Sequence, residues 1–301
     1  LKPLLVIIGG PTGIGKTATA IKLAKYFNTE IISADSRQFY KELSIGTAVP
    51  TREELMQVKH HFIHNLSVKE DYNASQFEFD ALRKLDELFA KHRIVIMVGG
   101  SGLYIDALCN GIDDLPTIRK EVRDKFEALF QKEGIEEIRQ RVKAIDPDYY
   151  KMVDIHNHKR MLKALEVYDM TGKPYSSLLK RTKKERPFDV LKIILDMNRE
   201  TLYERINFRV DKMIESGLIE ESRTMLPYRT KTPLKTVGYK ELFEYFDGNM
   251  ELHEAITKIK NHSRAYARRQ LTWFRRYPDA KWFHPDNIKK MIHSIHQALQ
   301  P

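Results

Sequence analysis

The feature that most constrains this chain is the octet Gly10-Pro11-Thr12-Gly13-Ile14-Gly15-Lys16-Thr17. It follows the apolar run Leu4-Leu5-Val6-Ile7-Ile8 and leads into Ala20, Ile21, Leu23, Ala24 and Phe27 at helical spacing. Strand, glycine loop and helix therefore succeed one another. The octet fits G-x-x-x-x-G-K-[ST], in which glycines let backbone N–H groups turn inward around a phosphate at a helix N-terminus. Lys16 adds a point charge, and the Thr17 hydroxyl can hold Mg2+. The pattern names a bound group and leaves the reaction open, since kinases, NTPases and enzymes that expel pyrophosphate can all use it.

The rest of the first half reads as an α/β fold. Glu30 to Ala34 reads as a short strand delivering Asp35-Ser36-Arg37-Gln38 at its carboxyl end, the edge where open α/β sheets bind ligands. A carboxylate there can act as a base, coordinate Mg2+ or cap the next turn. Residues 73–91 have helical period, and Ile94-Val95-Ile96-Met97-Val98 is the continuous apolar strand of a parallel sheet covered on both faces. That strand ends in Gly99-Gly100-Ser101-Gly102, not in the acidic residue that holds Mg2+ in many phosphate-loop NTPases. The glycines permit close approach of a ligand, and Ser101 offers a hydroxyl. His60, His61 and His64 admit a metal reading, against surface or loop histidines.

From Asp113 to Pro187 strand-like runs disappear. Val122, Phe126, Leu129 and Phe130 form one helical face, Ile135, Ile138 and Val142 another, and a helix through residues 159–166 runs to Gly172. The reading is an inserted all-helical subdomain, 113–187, within a phosphate-loop core of 1–112 and 188–301. The run Lys180 to Arg186 is either a solvated connector or a binding patch. Val190 to Leu195 returns to the sheet, and a helix from Arg199 to Ser216 carries Arg205 and Arg209 on one face. Along 252–276, Lys260, Arg264, Arg268 and Arg275 share one arc, while Leu252, Ile256, Ile259, Tyr266, Ala267, Gln270 and Phe274 fill the arc opposite. One face should pack and the other stay cationic.

An excess of 51 Lys and Arg over 41 Asp and Glu, a net charge of +10, favours a polyanionic partner. The single Cys109 excludes an internal disulfide and a cysteine metal cluster and suits a reducing, cytoplasmic setting. No stretch approaches the ~20 apolar residues of a membrane span, so neither a span nor a signal peptide is expected.

These blocks, in this order, resemble the tRNA dimethylallyltransferases, or tRNA isopentenyltransferases, of the bacterial type without a zinc finger. The resemblance rests on the octet, on Asp35 through Lys41, on Ile45-Gly46-Thr47-Ala48, on Val98 through Tyr104, on Arg160 to Glu166 with Thr171-Gly172, on Val237-Gly238-Tyr239-Lys240 and on Arg268 through Arg275. Gly13-Ile14 and Ser101 depart from the usual family residues, but the loop lysine, threonine and a hydroxyl at 101 remain.

The resemblance implies a P-loop NTPase-like sheet core and transfer of a dimethylallyl group from its diphosphate to the N6 amine of the adenosine 3′ of the anticodon, in tRNAs reading codons that begin with U. Gly10 to Thr17 would bind the diphosphate, Mg2+ being held through Thr17; Lys16 and Arg209 would stabilise the leaving group. Asp35 would take the amine proton and Ser101 would orient the amine. The base would be flipped out of its stack and read by Asp35, Ser36, Arg37 and Gln38 with Ser101. Arg123, Lys159, Arg160, Met161, Leu162 and Lys163, with Arg268, Arg269, Gln270, Trp273 and Arg275, would hold the anticodon arm of the tRNA. A monomer without membrane attachment is expected. Competing readings are an isopentenyltransferase of free adenine nucleotides, a small-molecule kinase, and a non-enzymatic RNA binder.

Overall fold

The computed structural model describes residues 2–113, 115–180 and 183–300. The chain divides into two compact units, Leu1–Asn110 with Glu185–Pro301, and Gly111–Lys184.

Among the described residues, six parallel strands form the sheet of the first unit: β1 (Leu4–Gly9), β2 (Ile31–Ser33), β3 (His60–His61), β4 (Ile94–Gly99), β5 (Asp189–Leu195) and β6 (Lys281–Phe283), in the spatial order β3-β2-β4-β1-β5-β6. Its helices are α1 (Lys16–Tyr26), α2 (Arg52–Gln57), α3 (Ala74–Phe89) and α4 (Gly102–Asn110). The second unit contributes α5 (Lys120–Ile145), α6 (Pro147–Met152), α7 (His158–Thr171) and α8 (Tyr175–Leu178), and the first unit resumes with α9 (Arg199–Glu215), α10 (Leu218–Thr224), α11 (Tyr239–Phe246), α12 (Leu252–Phe274) and α13 (Ile288–Ala298).

Central β1 is in register with β4, Leu4 opposite Ile94 through Gly9 opposite Gly99, and pairs with β5 on its other side. Alternate side chains serve alternate faces. Leu5, Ile7, Val95 and Met97 pack with Phe77 and Leu85 of α3, Ile105 and Leu108 of α4 and Phe274 of α12. Leu4, Val6, Ile8, Ile94 and Ile96 pack with Ala20, Ile21 and Leu23 of α1, Leu202 and Ile206 of α9 and Ile295 of α13. Every residue of β1 and β4 is buried, which is why these runs are continuously apolar; each large side chain so buried contributes about 1.5–3 kcal/mol.

Several elements differ from the sequence reading. β2 spans three residues rather than five, because Ala34 already turns the chain out of the ladder after its N–H bonds Val98. The glycine turn after β4 opens directly into α4, whose first turn is closed by Tyr104 N–H on Ser101 O. His60 and His61 are not loop residues. They form edge strand β3, the His61 ring bonding Glu30 at 2.6 Å, and among the described residues no cluster of three or more His, Cys, Asp or Glu is placed to hold a metal ion.

In the second unit, Val122 and Phe126 precede, and Ile138 and Val142 follow, a break in α5 at Gly134, where φ is 75°. The two apolar faces thus belong to two helical pieces that close on α7. Met161 and Leu162, expected at the RNA, are 0% and 4% exposed in this core, so their side chains are unavailable to any ligand. Their neighbours Lys159 and Arg160 are exposed. In the basic run, Lys180, Lys183 and Lys184 are exposed, Arg181 and Thr182 lie outside the described residues, and Arg186 is not solvated: its guanidinium bonds Glu78 at 2.7 Å and the carbonyls of Ala107 and Leu108. Among the described residues no helix is long and apolar enough to cross a membrane.

Candidate active site

The site is built at the carboxyl edge of β1, β2 and β4. β1 ends at Gly9, and the loop that follows needs positive φ at Gly10 (146°), Gly13 (80°) and Gly15 (101°), the last capping α1. At Gly13 a Cβ would also lie 2.9 Å from Ile206 of α9. The loop is fixed from outside by three side chains. Gln270 of α12 accepts the Thr12 N–H at 2.8 Å and donates to Gly100 O at 2.9 Å; Arg209 donates to the Thr12 hydroxyl at 3.2 Å; Arg205 donates to Gly13 O at 3.0 Å.

A cavity of about 710 Å3 opens over this loop, lined on one side by Thr12, Gly13, Gly15, Lys16, Thr17 and Arg209 and on another by Asp35, Arg37 and Gln38. Its lining also includes the loop Gly46 to Val49, the apolar side chains Val210, Met213, Leu218, Val237 and Ile259, with Phe208 and Tyr266, and polar groups such as Glu54, Arg205 and Gln270. Lys16 Nζ rests on Pro11 O at 2.8 Å. Burial pushes its ammonium down to about 8, an effect that Arg209 reinforces and Asp35 opposes. Burial likewise lowers Arg209, again opposed by Asp35. The three charges therefore sense one another, and two cations are held in a site that favours a bound anion.

Asp35 Oδ1 accepts the Arg37 N–H at 3.0 Å, a local turn, and Asp35 lines the cavity. Ser101 does not line the cavity. It accepts the Ser36 N–H at 3.0 Å and donates to the Ser36 hydroxyl at 3.1 Å, so it braces the turn that carries Asp35. Gln38 Nε2 is spent on the carbonyls of Thr47 and Ala48. Beside Asp35, Lys16 and Thr17 lies a second cavity of about 20 Å3. His60 lines it, its Nδ1 donating to Val58 O and its buried Nε2 without a partner among the described residues.

Helix α12 differs most from expectation. Its cationic arc is largely a joint with α9: Lys260 pairs with Asp211 at 2.6 Å, Arg264 bonds Asn207 at 2.6 Å, and Arg268 bonds the Tyr203 hydroxyl at 3.1 Å. Arg268, Arg269 and Arg275 remain exposed. Gln270, expected at the RNA, is 6% exposed with both amide ends used inside the protein, and Trp273 donates to Asp106 at 3.1 Å. A glutamine in the middle of an apolar arc was the available signal, because a buried amide must find partners. Tyr266, assigned to the packing arc, instead faces the cavity. Lys163 and Arg123 of the second unit interact electrostatically with buried Glu166, whose carboxyl burial raises.

A sequence model of the IPP transferase family matches residues 38–277. The chain belongs to that family. It is 50% identical over 290 residues to tRNA dimethylallyltransferase 1 of Bacteroides thetaiotaomicron, covering 96% of this chain and 94% of the relative. The crystal structure of the full-length tRNA isopentenylpyrophosphate transferase of Bacillus halodurans superposes with a TM-score of 0.72 at 36% identity, covering 98% and 96% of the two chains. A eukaryotic dimethylallyltransferase acting on tRNA superposes with a TM-score of 0.75 at 28% identity over 90% of this chain and 69% of that one. The α/β class read from the first half and the P-loop NTPase-like core that the resemblance implies are therefore those of the IPP transferases.

Proposed function

We propose that this IPP transferase moves a dimethylallyl group from dimethylallyl diphosphate to the N6 amine of the adenosine next to the anticodon on its 3′ side, in tRNAs reading U-starting codons, as a tRNA prenyltransferase of the cytoplasm. One observation carries the reading: the phosphate loop with Lys16 and Arg209, the carboxylate of Asp35, and the apolar wall of Met213, Leu218, Val237 and Ile259 face a single cavity. A diphosphate, an amine and a five-carbon apolar chain are the three things such a lining would accept.

In this reading the allylic C–O bond breaks as the bond from N6 forms. The electron pair leaves with diphosphate, whose growing charge is met by the loop N–H groups, Lys16 and Arg209. N6 gains positive character, and its proton passes to the Asp35 carboxylate. Ser101 acts through Ser36, holding the turn that aims Asp35. Thr17, a hard oxygen donor beside Asp35, fits Mg2+, an ion that takes few protein ligands and completes its shell with water and phosphate. Bound there, Mg2+ would add positive charge against the departing diphosphate.

The phosphate-loop core, 1–112 with 188–301, is proposed as the catalytic domain and the helical segment 113–187 as the part that grips the anticodon arm. Arg123, Lys159, Arg160 and Lys163 serve there, and Arg268, Arg269 and Arg275 serve on the core, the protein acting as a monomer. The test is transfer of labelled dimethylallyl group, with Mg2+, to an anticodon stem-loop carrying three adenosines after a U-reading anticodon, with free AMP as the rival acceptor. Labelling of the stem-loop alone, lost in Asp35→Ala, is the expected result. Labelling of AMP would move the activity to free nucleotides, and consumption of ATP without prenyl transfer would leave a kinase.

A further inference from the structure

Glu221 of α10 gathers four donors on one carboxylate. Its Oε2 accepts the N–H groups of Ser44 (3.0 Å) and Ile45 (2.8 Å), and its Oε1 accepts the Gly46 N–H (2.9 Å) and the Tyr239 hydroxyl (2.6 Å). Ionised, a carboxylate offers about four acceptor sites and no donor, so this set of partners fills it. Each bond is charge-assisted, and the loop is held by three consecutive amides. The Tyr239 ring, 0% exposed, covers Gly46 so closely that a Cβ there would lie 2.6 Å from it. Neither Glu221 nor Tyr239 lines the cavity, but the loop they hold does, through Gly46, Thr47, Ala48 and Val49.

The same loop anchors Gln38 from the other side. Gln38 Nε2 donates to Thr47 O at 3.3 Å and to Ala48 O at 3.0 Å, and Ala48 sits at φ 46°, a conformation its own side chain does not favour. Glu221, the loop, Gln38 and then Asp35 thus form one mechanical series along the acceptor side of the cavity. The phosphate loop is held by a different set, Gln270, Arg205 and Arg209. Resting on the activity proposed above, we infer that Glu221, with Tyr239, is a positioning residue for the acceptor base and not for the diphosphate. It sets the wall against which the adenine lies and has no contact with the reacting atoms.

The experiment compares Glu221→Gln, Tyr239→Phe and Gly46→Ala with the wild type in the full chain. It measures KM for the stem-loop at saturating dimethylallyl diphosphate, pyrophosphate binding by calorimetry, and amide exchange at Ser44, Ile45 and Gly46. Glu221→Gln turns an NH2 toward backbone donors, so exchange at the three amides should rise and KM for the stem-loop should increase about tenfold or more. Pyrophosphate affinity should stay within about twofold of wild type, as expected for a separate set of supports. Tyr239→Phe, which keeps the carboxylate, should move KM the same way by a smaller factor, and Gly46→Ala should match Glu221→Gln. An unchanged KM despite faster exchange overturns the inference, and so does a parallel loss of pyrophosphate affinity, which marks general loosening. A wild-type enzyme that transfers nothing to the stem-loop overturns the proposed activity instead.

Discussion

Gln270 accepts the backbone N–H of Thr12 at 2.8 Å across 258 residues of chain, and with its other amide end it bonds Gly100. One side chain of α12 thus ties the phosphate loop to the turn after β4. Removing it in Gln270→Ala leaves a part-buried N–H and a buried carbonyl without their Gln270 partner. The expected cost is about 2–4 kcal/mol by denaturant unfolding, with weakened pyrophosphate binding because Thr12 is no longer held.

Lys16 makes pyrophosphate binding pH-dependent. Its ammonium sits near 8 in the folded protein against 10.5 when free, so in metal-free buffer affinity should fall as pH rises from about 7.5 to 9.5, and binding above pH 8 should take up a proton. Between about 8 and 10.5 the unfolded chain binds more protons at this site than the folded one, so the Lys16 contribution to folding stability rises with pH over the same window. Calorimetry in buffers of different ionisation enthalpy, beside a pH series of melts, reads both signs. Proton uptake should vanish in Lys16→Met.

Gly99 closes the sheet edge. A Cβ there would meet the Ala34 carbonyl oxygen at 2.4 Å and its carbon at 2.5 Å, both backbone atoms of the neighbouring strand exit. Gly99→Ala must therefore push the β4 and β2 ends apart, with an expected loss of at least about 1–3 kcal/mol and a lower Tm. Gly134→Ala has open space at its Cβ but must hold φ 75° with ψ −173°, a region essentially confined to glycine, so a loss of about 1–3 kcal/mol from backbone strain alone is expected.

The second unit separates packing from contact. Met161→Ala should cost about 2–5 kcal/mol of stability, since it empties a fully buried position. Lys159→Ala and Arg160→Ala, at exposed positions, should leave the melt within about 0.5 kcal/mol. They should weaken stem-loop binding and each reduce the salt dependence by about one counterion. Loss of RNA affinity in Met161→Ala without any loss of stability would contradict the core assignment.

Much of this protein is legible in its local sequence. The octet at Gly10 to Thr17 and the continuous runs of β1 and β4 are decided by backbone conformation and burial period, which act over a few residues. So are the placements of Lys16, Thr17 and Asp35 at a strand's carboxyl end. The wall of the cavity and its supports are not local. Glu221 reads as one acid among several on a short helix, Gln270 as a polar interruption, and Met161 and Leu162 as part of a basic stretch. Their roles depend on which donor or helix face lies opposite once α7, α10 and α12 have packed. Periodicity fixes the angle of a side chain around its own helix axis, and only the tertiary structure brings up the partner that makes it a staple, a clamp or core.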